Sequence, residues 1–370
     1  MTGRRIAIAI DSLAGGGAEK VMLTLATTLK QMGHEPHLLV LHNDCHHEVP
    51  AALAVHFCFD AKERNIDSFW RLKSSVARVQ SWIEQLQQQH GTFELFLSNL
   101  DKTNLLMTRA CVAPLYCIVH NSIEEELQRQ RKLGPFAYLS MLKAKKALNG
   151  QKLVTVSKGI AGEITQVGRI KPASVQTIYN PFELDKIQAL SQQVPADMPT
   201  GDYMIHVGRF ARQKRHDVLF AAMKQMKNPM PLVLLCNNKK KALKAAHKFG
   251  VSDRVIIPGF QTNPYPWIKN ARLLVLSSDY EGLPTVLIES PLAVGTPVVS
   301  SDCRHGPKEI LTVEFSRYLV PRREPAALAK AMDAALNDYP DCATAEILQQ
   351  VGAKRVAEQY LALLNGPDSE

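Results

Sequence analysis

The sequence has few of the features that mark several large classes of protein. Aromatic residues make up only 6% of its 370 residues, and no zinc-finger or RNA-recognition signature is present, which argues against nucleic acid as a partner. The seven cysteines are scattered without paired metal-ligand spacing, and they indicate reduced thiols in a cytoplasmic protein. No apolar run approaches the length of a membrane span, and there is no low-complexity segment.

Two further absences bear on chemistry. No Asp-x-Asp pair occurs in the chain, so the sequence does not indicate a metal ion that holds a diphosphate. The glycines at 15–17 do not form a Gly-x-Gly-x-x-Gly motif, and no acidic residue closes the following strand. A dinucleotide-binding dehydrogenase is therefore poorly supported. Taken alone, the triglycine is also compatible with a flexible turn between a strand and a helix.

Positive charge, by contrast, is in excess. The chain has 44 Lys and Arg residues against 35 Asp and Glu residues, with a formal net charge of +9 and a pI near 9.1. This balance favours an anionic partner, such as a phosphorylated substrate or an acidic membrane face. A chain of 370 residues is long enough for two domains, each with its own hydrophobic core.

Short apolar runs that alternate with amphipathic segments predict an α/β fold. Residues 6–10 are continuously apolar, as a central parallel strand is, and this run is too short for a signal-peptide core. A helix is predicted at about 18–32, with Gly33 as its stop signal. Further strands are predicted at 37–41, 93–97, 115–119, 152–156, 175–179, 203–207, 232–235, 255–257, 273–276, 298–300 and 317–320. This order predicts two Rossmann-like, doubly wound domains.

A linker separates the two predicted domains. Asn180 and Pro181 end the last strand of the first half, and a polar stretch with prolines follows as far as Thr200. We expect an N-terminal domain at 1–181, a C-terminal domain at 182–343 and a final, mainly helical segment at 344–370.

The most informative stretch is EGLPTVLIE at 281–289. It follows the strand at 273–276 and leads into an apolar helix predicted at 284–294, with Pro284 near its start and Gly295 after its end. A helix that starts at the end of a parallel strand presents free N–H groups, which attract anions. The sequence therefore predicts an anion site here.

Two glutamates flank this predicted site. Glu281 lies in the loop, and Glu289 lies one helical turn after Thr285 among apolar residues. A Glu inside an apolar helix needs a hydrogen-bond partner or a position at a cleft, and its carboxylate can accept both hydroxyl protons of a ribose. The spacing alone leaves equally open that Glu289 is an ordinary exposed residue on a half-buried helix.

Two basic residues follow the strand at 203–207. Arg209 offers a planar fork to a phosphate, and Lys214 offers a mobile point charge. Simple exposure to solvent is a weak alternative for Arg209, which comes directly after an apolar strand. Arg212 and Arg215 are expected to face solvent.

The stretch EGLPTVLIES and its continuation PLAVGTPVVSSDCRHGPKEIL resemble the donor site of glycosyltransferase family 4. The resemblance covers nearly the whole chain. It implies the GT-B fold, in which two Rossmann-like domains face a cleft, and a retaining, metal-independent sugar transfer. It also implies that Glu281 contacts hydroxyls of the donor sugar, that Glu289 holds the nucleotide ribose, and that the final helix, at about 344–364, returns to the first domain.

The same resemblance assigns the remaining site residues. The Gly-Arg-x4-Lys spacing matches the family motif that neutralises the donor diphosphate, here with Arg209 and Lys214. A His close to the donor sugar corresponds to His120, although a lone His is otherwise more often structural. Residues implied around the donor are Gly16 and Gly17 in the first domain, Leu283, Thr285 and Val286 at the helix start, and Gly306 with Glu309 near the sugar.

The chain departs from the family pattern at two places. The glycine-rich turn expected after the second strand of the second domain reads CNNKKK at 236–241, so recognition of the base is in doubt. Its three lysines form either a solvated helix start or a grip on a phosphate. The aromatic–serine pair expected before the final helix is also missing, which weakens the prediction for that helix.

The segment at 129–150, RQRKLGPFAYLSMLKAKKALNG, combines apolar and basic residues. We predict a basic amphipathic helix near the surface of the acceptor domain. Such a helix could contact an anionic membrane surface. It could equally pack on the sheet and expose a solvated basic rim.

The expected function is transfer of a hexose or N-acetylhexosamine from a UDP-linked donor to a glycan or glycolipid acceptor in lipopolysaccharide or lipid-linked oligosaccharide synthesis. The nucleotide sugar is the co-substrate, and no cofactor or metal is expected. The expected location is cytoplasmic, either free or peripheral at the cytoplasmic face of the inner membrane. The other interpretations are a sugar-nucleotide epimerase of the same fold and a non-catalytic sugar-nucleotide-binding subunit, and the set of Glu281, Glu289, Arg209 and Lys214 argues against the second.

Overall fold

The chain forms two compact units. A computed structural model describes residues 3–14, 16–45, 48–289 and 294–365. The first unit comprises Met1–Phe182 with Val351–Glu370, and the second comprises Glu183–Gln350. The chain thus changes unit after residues 182 and 350, where the sequence predicted boundaries after 181 and 343. Among the described helices, none has the length and apolar character needed to span a membrane.

The first unit is built on a parallel sheet of seven strands. These are β1 Arg5–Ile10, β2 Glu35–His42, β3 Ala54–Phe59, β4 Leu95–Asn99, β5 Leu115–Val119, β6 Lys152–Thr155 and β7 Ser174–Thr177. Their order in the sheet is β3-β2-β1-β4-β5-β6-β7. Connections run outward in both directions from β1 and β4, so the topological switch point, where such sheets bind ligands, lies between these two strands.

Helices cover this sheet. They are α1 Gly17–Gln31, α2 Leu72–His90, α3 Asp101–Arg109, α4 Ile123–Leu133, α5 Pro135–Lys146 and α6 Lys158–Val167. The strands β1, β4 and β5 are almost completely buried, as expected for a parallel sheet with helices on both faces. The edge strand β3 was missed in the sequence because His56 interrupts its apolar pattern.

The second unit repeats this architecture with six parallel strands. They are β8 Met204–Val207, β9 Leu232–Leu235, β10 Val255–Ile256, β11 Leu273–Leu276, β12 Val298–Ser301 and β13 Leu319–Val320, in the order β10-β9-β8-β11-β12-β13. The switch point here lies between β8 and β11. The helices are α7 Leu184–Leu190, α8 His216–Met223, α9 Lys239–Lys248, α10 Tyr265–Lys269, α11 Thr285–Glu289, α12 Pro307–Ile310, α13 Pro325–Asn337 and α14 Leu348–Val351.

Two sequence expectations are corrected by these bounds, and a third falls partly outside the described residues. The polar stretch expected to be a linker contains the helix α7. The segment at 129–150 is not one helix, because Gly134, with φ 120°, ends α4 and precedes α5. The helix predicted at 284–294 is described from Thr285 to Glu289, and residues 290–293 lie outside the described part of the chain.

The last helix belongs to the first unit. Residues 351–353 lie beside Phe182, whose N–H donates to the Val351 carbonyl at 2.9 Å and whose carbonyl accepts from the Ala353 N–H at 3.0 Å. The helix α15, Ala353–Ala362, then packs against α1 and buries Val356 and Tyr360. The hydroxyl of Tyr116, on β5, donates to the Leu363 carbonyl at 3.3 Å.

Candidate active site

In the second unit, an ion pair lies at the switch point between β8 and β11. The Lys214 ammonium is 2.8 Å from Oε1 of Glu281, and both side chains are largely buried. Lys214 closes the loop after β8, and Glu281 lies in the loop after β11. A Cβ atom on Gly208 would lie 3.2 Å from Cε of Lys214, so the small residue at 208 leaves room for the Lys214 side chain. The sequence-predicted cation and carboxylate are therefore neighbours.

Hydrogen bonds hold these two loops together. The Gln213 side chain donates to the Tyr280 carbonyl at 2.7 Å, and the Asp279 N–H donates to the Gln213 carbonyl at 2.9 Å. The Ser277 hydroxyl donates to the Lys214 carbonyl at 2.8 Å. Because these bonds fix the backbone on both sides of the ion pair, Lys214 and Glu281 are held in position by the loops themselves.

An arginine cluster around Asp279 supports the same loops. The Arg323 guanidinium donates to both carboxylate oxygens of Asp279, at 2.8 and 2.9 Å. Arg215 donates to Asp279 at 3.3 Å and to Asp217, and Arg322 donates to the Asp279 carbonyl. Burial alone would raise the pKa of Asp279, but the hydrogen bonds and charges of the arginines outweigh it and lower this pKa. Arg215 was expected to face solvent, and the structure shows that it is structural instead.

Arg209 differs from Lys214 and Arg215, which are both paired. It is exposed directly after β8, and no described carboxylate pairs with it. An unpaired guanidinium and a lysine on the same loop at the carboxyl end of β8 are a suitable combination for two phosphate groups.

The third loop of this site, after β12, fits closely against the loop after β11. The Glu281 N–H donates to the Arg304 carbonyl at 3.2 Å. Gly306 has φ +90°, and a Cβ there would lie 2.3 Å from Cδ of Pro284 and 3.0 Å from the Gly282 carbonyl oxygen. Only glycine satisfies both conditions. Gly306 thus supports the turn that leads to Leu283, Thr285 and Val286, the predicted donor-binding residues at the start of α11.

Glu289 lies on α11 and is only 9% exposed, so it is not a surface residue. The Tyr265 hydroxyl donates to its Oε1 at 3.3 Å. The buried carboxylate therefore has a hydrogen-bond partner, as the apolar sequence around it requires. Its predicted role toward a ribose stays a prediction.

Two buried histidines behind Lys214 were not recognised in the sequence. His206, on β8, donates from Nδ1 to the Val275 carbonyl at 2.8 Å, and the His216 ring lies 4.8 Å from its ring. Burial, followed by the charges of its neighbours, holds the pKa of His206 well below its usual range and lowers that of His216 to about 4. Both rings are thus neutral near pH 7, so they add no positive charge to that of Lys214. The only signal for His206 was a His within an apolar strand directly before the Gly-Arg motif.

In the first unit, polar residues meet at the carboxyl ends of β1, β4 and β5. The His120 Nε2 atom lies 2.9 Å from Oδ1 of Asn99. The Asn99 amide donates to the Ala9 and Leu97 carbonyls, so its oxygen accepts and His120 Nε2 carries the proton. Burial lowers the pKa of His120 to about 4. His120 is therefore a neutral hydrogen-bonding group rather than a cation.

Asp11 is a further residue of this edge that sequence reasoning missed. Its Oδ1 accepts from the Thr103 N–H at 2.9 Å and from the Thr103 hydroxyl. Burial raises the pKa of Asp11 to about 6, although the hydrogen bonds from Thr103 oppose the shift. Asp11 follows β1 directly, at the switch point of this sheet, and the position at the end of a central strand was the available signal.

Gly16 and Gly17 begin α1 at the same edge. A Cβ on Gly16 would lie 2.1 Å from Oε2 of the buried Glu19, whereas nothing lies within 4 Å of a Cβ on Gly17. A larger residue at position 16 would therefore displace the carboxylate of Glu19. The preceding Gly15 lies outside the described residues.

Each of the two units is a parallel α/β fold, and the second has a paired Lys and Glu and a free Arg at its switch point. This combination is that of a GT-B glycosyltransferase. The Glycosyltransferase Family 4 model matches residues 15–186, and the Glycosyl transferases group 1 model matches residues 190–353. The chain belongs to glycosyltransferase family 4, and it is an enzyme that transfers hexosyl groups.

Individual relatives agree with this assignment. The chain is 25% identical over 320 residues to N-acetylgalactosamine-N,N'-diacetylbacillosaminyl-diphospho-undecaprenol 4-alpha-N-acetylgalactosaminyltransferase of Campylobacter jejuni, covering 83% of each chain. It is 25% identical over 212 residues to a lipopolysaccharide 1,6-galactosyltransferase of Salmonella typhimurium, covering 54% of this chain and 57% of the relative. The HepE protein of Anabaena, solved with UDP and glucose, has the same fold, with a TM-score of 0.73 at 17% identity over 98% of this chain and 99% of its own.

Proposed function

We propose that the enzyme transfers a hexose or N-acetylhexosamine from a UDP-linked donor to a glycan or glycolipid acceptor of cell-surface synthesis, with retention of configuration and without a metal ion. The observation that carries the proposal is the Lys214–Glu281 ion pair at the switch point of the second sheet, with the unpaired Arg209 on the same loop as Lys214. The UDP in the solved HepE structure and the lipid-linked acceptor in the name of the Campylobacter relative support the choice of substrates.

Donor binding would exchange the partners of this ion pair. A diphosphate offers Lys214 a stronger anion than Glu281, and the hydroxyl groups of the donor sugar offer Glu281 hydrogen-bond donors in place of Lys214. Arg209 adds a planar fork to the same diphosphate. These cations act where negative charge grows as the diphosphate leaves, so they stabilise the transition state more than the bound donor.

The chemical step needs no covalent nucleophile from the protein. The bond between C1 of the sugar and the diphosphate oxygen breaks, and its electron pair stays on that oxygen. The acceptor hydroxyl oxygen bonds to C1 on the same face, and its proton passes to the leaving phosphate. Metal independence is part of the proposal, and it is supported by the lack of an Asp-x-Asp pair and by the cations Arg209 and Lys214.

The first unit is proposed to bind the acceptor. Asp11 and His120 lie at the carboxyl ends of its central strands, and each side chain is fixed by a hydrogen bond to Thr103 or Asn99. A fixed carboxylate and a neutral imidazole are suited to orienting hydroxyl groups. For a glycolipid acceptor the enzyme would work at the cytoplasmic face of the inner membrane.

Release of UDP from candidate UDP-sugars, with and without glycolipid extract, tests the proposal. A glycosyltransferase releases UDP faster when the acceptor is present. Inversion of a stereocentre of the sugar without net release of UDP, independent of the acceptor, would identify an epimerase. Binding of UDP-sugar without any turnover would identify a non-catalytic subunit.

Replacing Lys214 tests the role of the cations. Lys214→Ala should raise the activation barrier by about 2–4 kcal/mol, on the scale of a lost oxyanion donor, and Lys214→Arg should retain part of the activity. Lys248→Ala, which replaces an exposed lysine on α9, is the control and should leave the activity unchanged.

EDTA should leave transfer unchanged. Loss of activity in EDTA that magnesium or manganese restores would refute metal independence.

A further inference from the structure

The three most exposed large hydrophobic side chains of the described residues lie in the first unit. Trp70 is 88% exposed, Phe136 is 87% exposed and Phe69 is 80% exposed. Phe69 and Trp70 precede α2, and their rings pack edge to face with centroids 5.3 Å apart. They therefore form one apolar unit that is turned toward solvent. Single exposed hydrophobic residues are common, but adjacent exposed aromatic residues indicate an interaction surface.

A second exposed apolar segment lies beside this pair. Phe136 and Leu139 are exposed on α5, and with Lys143 they recur at intervals of three and four residues, which places them on one helix face. The Lys143 ammonium donates to the Asp67 carbonyl at 3.3 Å, and this bond ties that face to the loop that carries Phe69 and Trp70. Leu133, at the end of α4, is also exposed. We call the set of Phe69, Trp70, Leu133, Phe136 and Leu139 the aromatic face.

Basic residues border the aromatic face. Residues 129–150 contain six Lys and Arg residues and no Asp or Glu. Exposed cations of this border are Arg71, Arg129, Arg131, Lys132 and Lys146. Four acids near this border pair with other side chains: Glu124 pairs with Arg169, Glu63 pairs with Arg78, and Asp101 and Glu126 pair with Lys145. The border therefore presents positive charge outward.

Lys145 is an exception within the basic segment. It is almost fully buried between Asp101 and Glu126. Burial alone would lower the pKa of Lys145, but the two carboxylates outweigh it and raise this pKa above its usual value. Lys145 therefore holds α5 on α3 and α4, and it is not available to an external partner. A variant that reverses its charge would test folding rather than binding.

We propose that the aromatic face docks on the surface of an anionic lipid bilayer, with the rings of Phe69, Trp70 and Phe136 at the headgroup level and the basic border on the lipid phosphates. Trp, with an apolar body and a polar N–H, is suited to this boundary, and cations next to an apolar surface match acidic headgroups. The proposal extends the proposed function, because it gives an enzyme with a lipid-linked acceptor a means of reaching it.

The fluorescence of Trp70 provides a direct test. The chain has three tryptophans, of which Trp267 is fully buried and Trp82 is half-buried. Vesicles of phosphatidylcholine with phosphatidylglycerol should shift the emission to shorter wavelength, and lipids brominated in the acyl chain should quench it. Trp70→Phe should remove this signal while the protein still sediments with the vesicles. Vesicles of phosphatidylcholine alone should bind more weakly, and salt should weaken binding to the anionic ones.

Substitutions define the surface. Phe69→Ser with Trp70→Ser, and separately Phe136→Ser, should each lower the vesicle partition coefficient about tenfold or more, the scale set by removing one or two buried aromatic side chains. Phe260→Ser is the matched control, because Phe260 is 77% exposed in the second unit and should not affect partition. Circular dichroism establishes that each variant is folded.

The outcomes separate this proposal from the proposed function. Unchanged partition of both aromatic variants, or unshifted Trp70 emission on anionic vesicles, overturns lipid docking even if sugar transfer is normal. Self-association that the same substitutions abolish, without vesicle binding, would show that a second copy of the chain covers the aromatic face. Vesicle binding through Trp70 in a protein that transfers no sugar would refute the proposed function and leave the docking surface standing.

Discussion

The two carboxylates of the candidate donor site are held by different partners. Glu281 pairs with Lys214 at 2.8 Å, and Glu289 accepts from the Tyr265 hydroxyl at 3.3 Å. Removing Glu281 leaves a lysine that is free for a diphosphate, whereas removing Glu289 leaves a buried tyrosine hydroxyl and no carboxylate for a ribose. The two residues should therefore affect UDP binding differently.

We expect Glu289→Ala to weaken binding of UDP by about 1.5–3 kcal/mol, the scale of a hydrogen bond to a charged group, and to act mainly on KM. Glu281→Ala should not weaken UDP binding, but it should lower kcat, since its proposed hydrogen bonds orient the sugar during transfer. Calorimetric titration with UDP measures the first effect, and turnover measures the second. The exposed Glu314 provides the control. Equal loss of UDP affinity in both variants would contradict the assigned roles.

Gly306 permits a prediction about the shape of the site. Gly306→Ala must accommodate φ +90° and a Cβ that would lie 2.3 Å from Cδ of Pro284, so the turn before α11 has to move. Gly250→Ala, with φ +64° and nothing within 4 Å, measures the cost of a positive φ without a contact, about 1 kcal/mol. Gly306 combines φ 90° with ψ −57°, outside the left-handed region, so its backbone cost adds to that of the contact. We expect Gly306→Ala to lower Tm further than Gly250→Ala and also to lower kcat/KM. Equal effects of the two variants would show that the contact with Pro284 is unimportant.

At the scale of elements, the sequence predicted what depends on local pattern. Central strands such as β1 and β11 are continuous apolar runs, and the start of α11 is marked by Pro284, so both were found. The contacts of Arg215 and Arg323 with Asp279 join residues far apart in the chain, and no local pattern encodes them. For the same reason the basic pattern at 129–150 did not show that Lys145 is buried between Asp101 and Glu126.

The edge strand β3 meets β2 and the end of α2 at a cluster of three histidines. Nδ1 of His37 lies 3.0 Å from Nε2 of His56, and the His90 ring lies 5.1 and 5.2 Å from their two rings. Burial, and then the charges of the neighbouring histidines and Arg5, lowers the pKa of His37 to about 4, while Glu35 opposes the shift. Burial, and then the charge of His90, also lowers the pKa of His56. The cluster therefore favours neutral rings in the folded state.

The sign of the pH effect follows from these pKa values. As the pH falls below 6.5, the ordinary value, the unfolded chain binds protons before the folded chain does, and stability declines until the pH reaches about 4. We expect the titration of His37 alone to lower the free energy of unfolding by about 2 kcal/mol as the pH falls from about 7.5 to about 5. Urea unfolding of the wild type and of His37→Gln measures this, with His247→Gln, at an exposed histidine of α9, as control. A His37→Gln variant with the same pH dependence as the wild type would contradict it.

At the scale of the whole molecule, the chain leaves the first unit after Phe182 and returns to it at Val351. The proposed donor residues Arg209, Lys214, Glu281 and Glu289 all lie in the second unit. The returning helix α15 instead completes the core of the first unit against α1. Ligand binding and the packing of the chain end should therefore affect the unfolding of different units.

Tyr360 tests this division because it is only 2% exposed on α15. Differential scanning calorimetry should show two transitions. UDP at about 100 times its Kd should stabilise the second unit by about 2.7 kcal/mol, which identifies its transition. Tyr360→Ala should destabilise the other transition by about 3–5 kcal/mol, the usual cost of truncating a buried aromatic residue, and leave the shift caused by UDP unchanged. Tyr318→Ala, which truncates an equally buried tyrosine of the second unit, should lower the UDP-sensitive transition instead. A single transition in calorimetry would show that the last helix does not stabilise the first unit independently of the second. The same conclusion would follow if Tyr360→Ala lowered the midpoint temperature of the UDP-sensitive transition only.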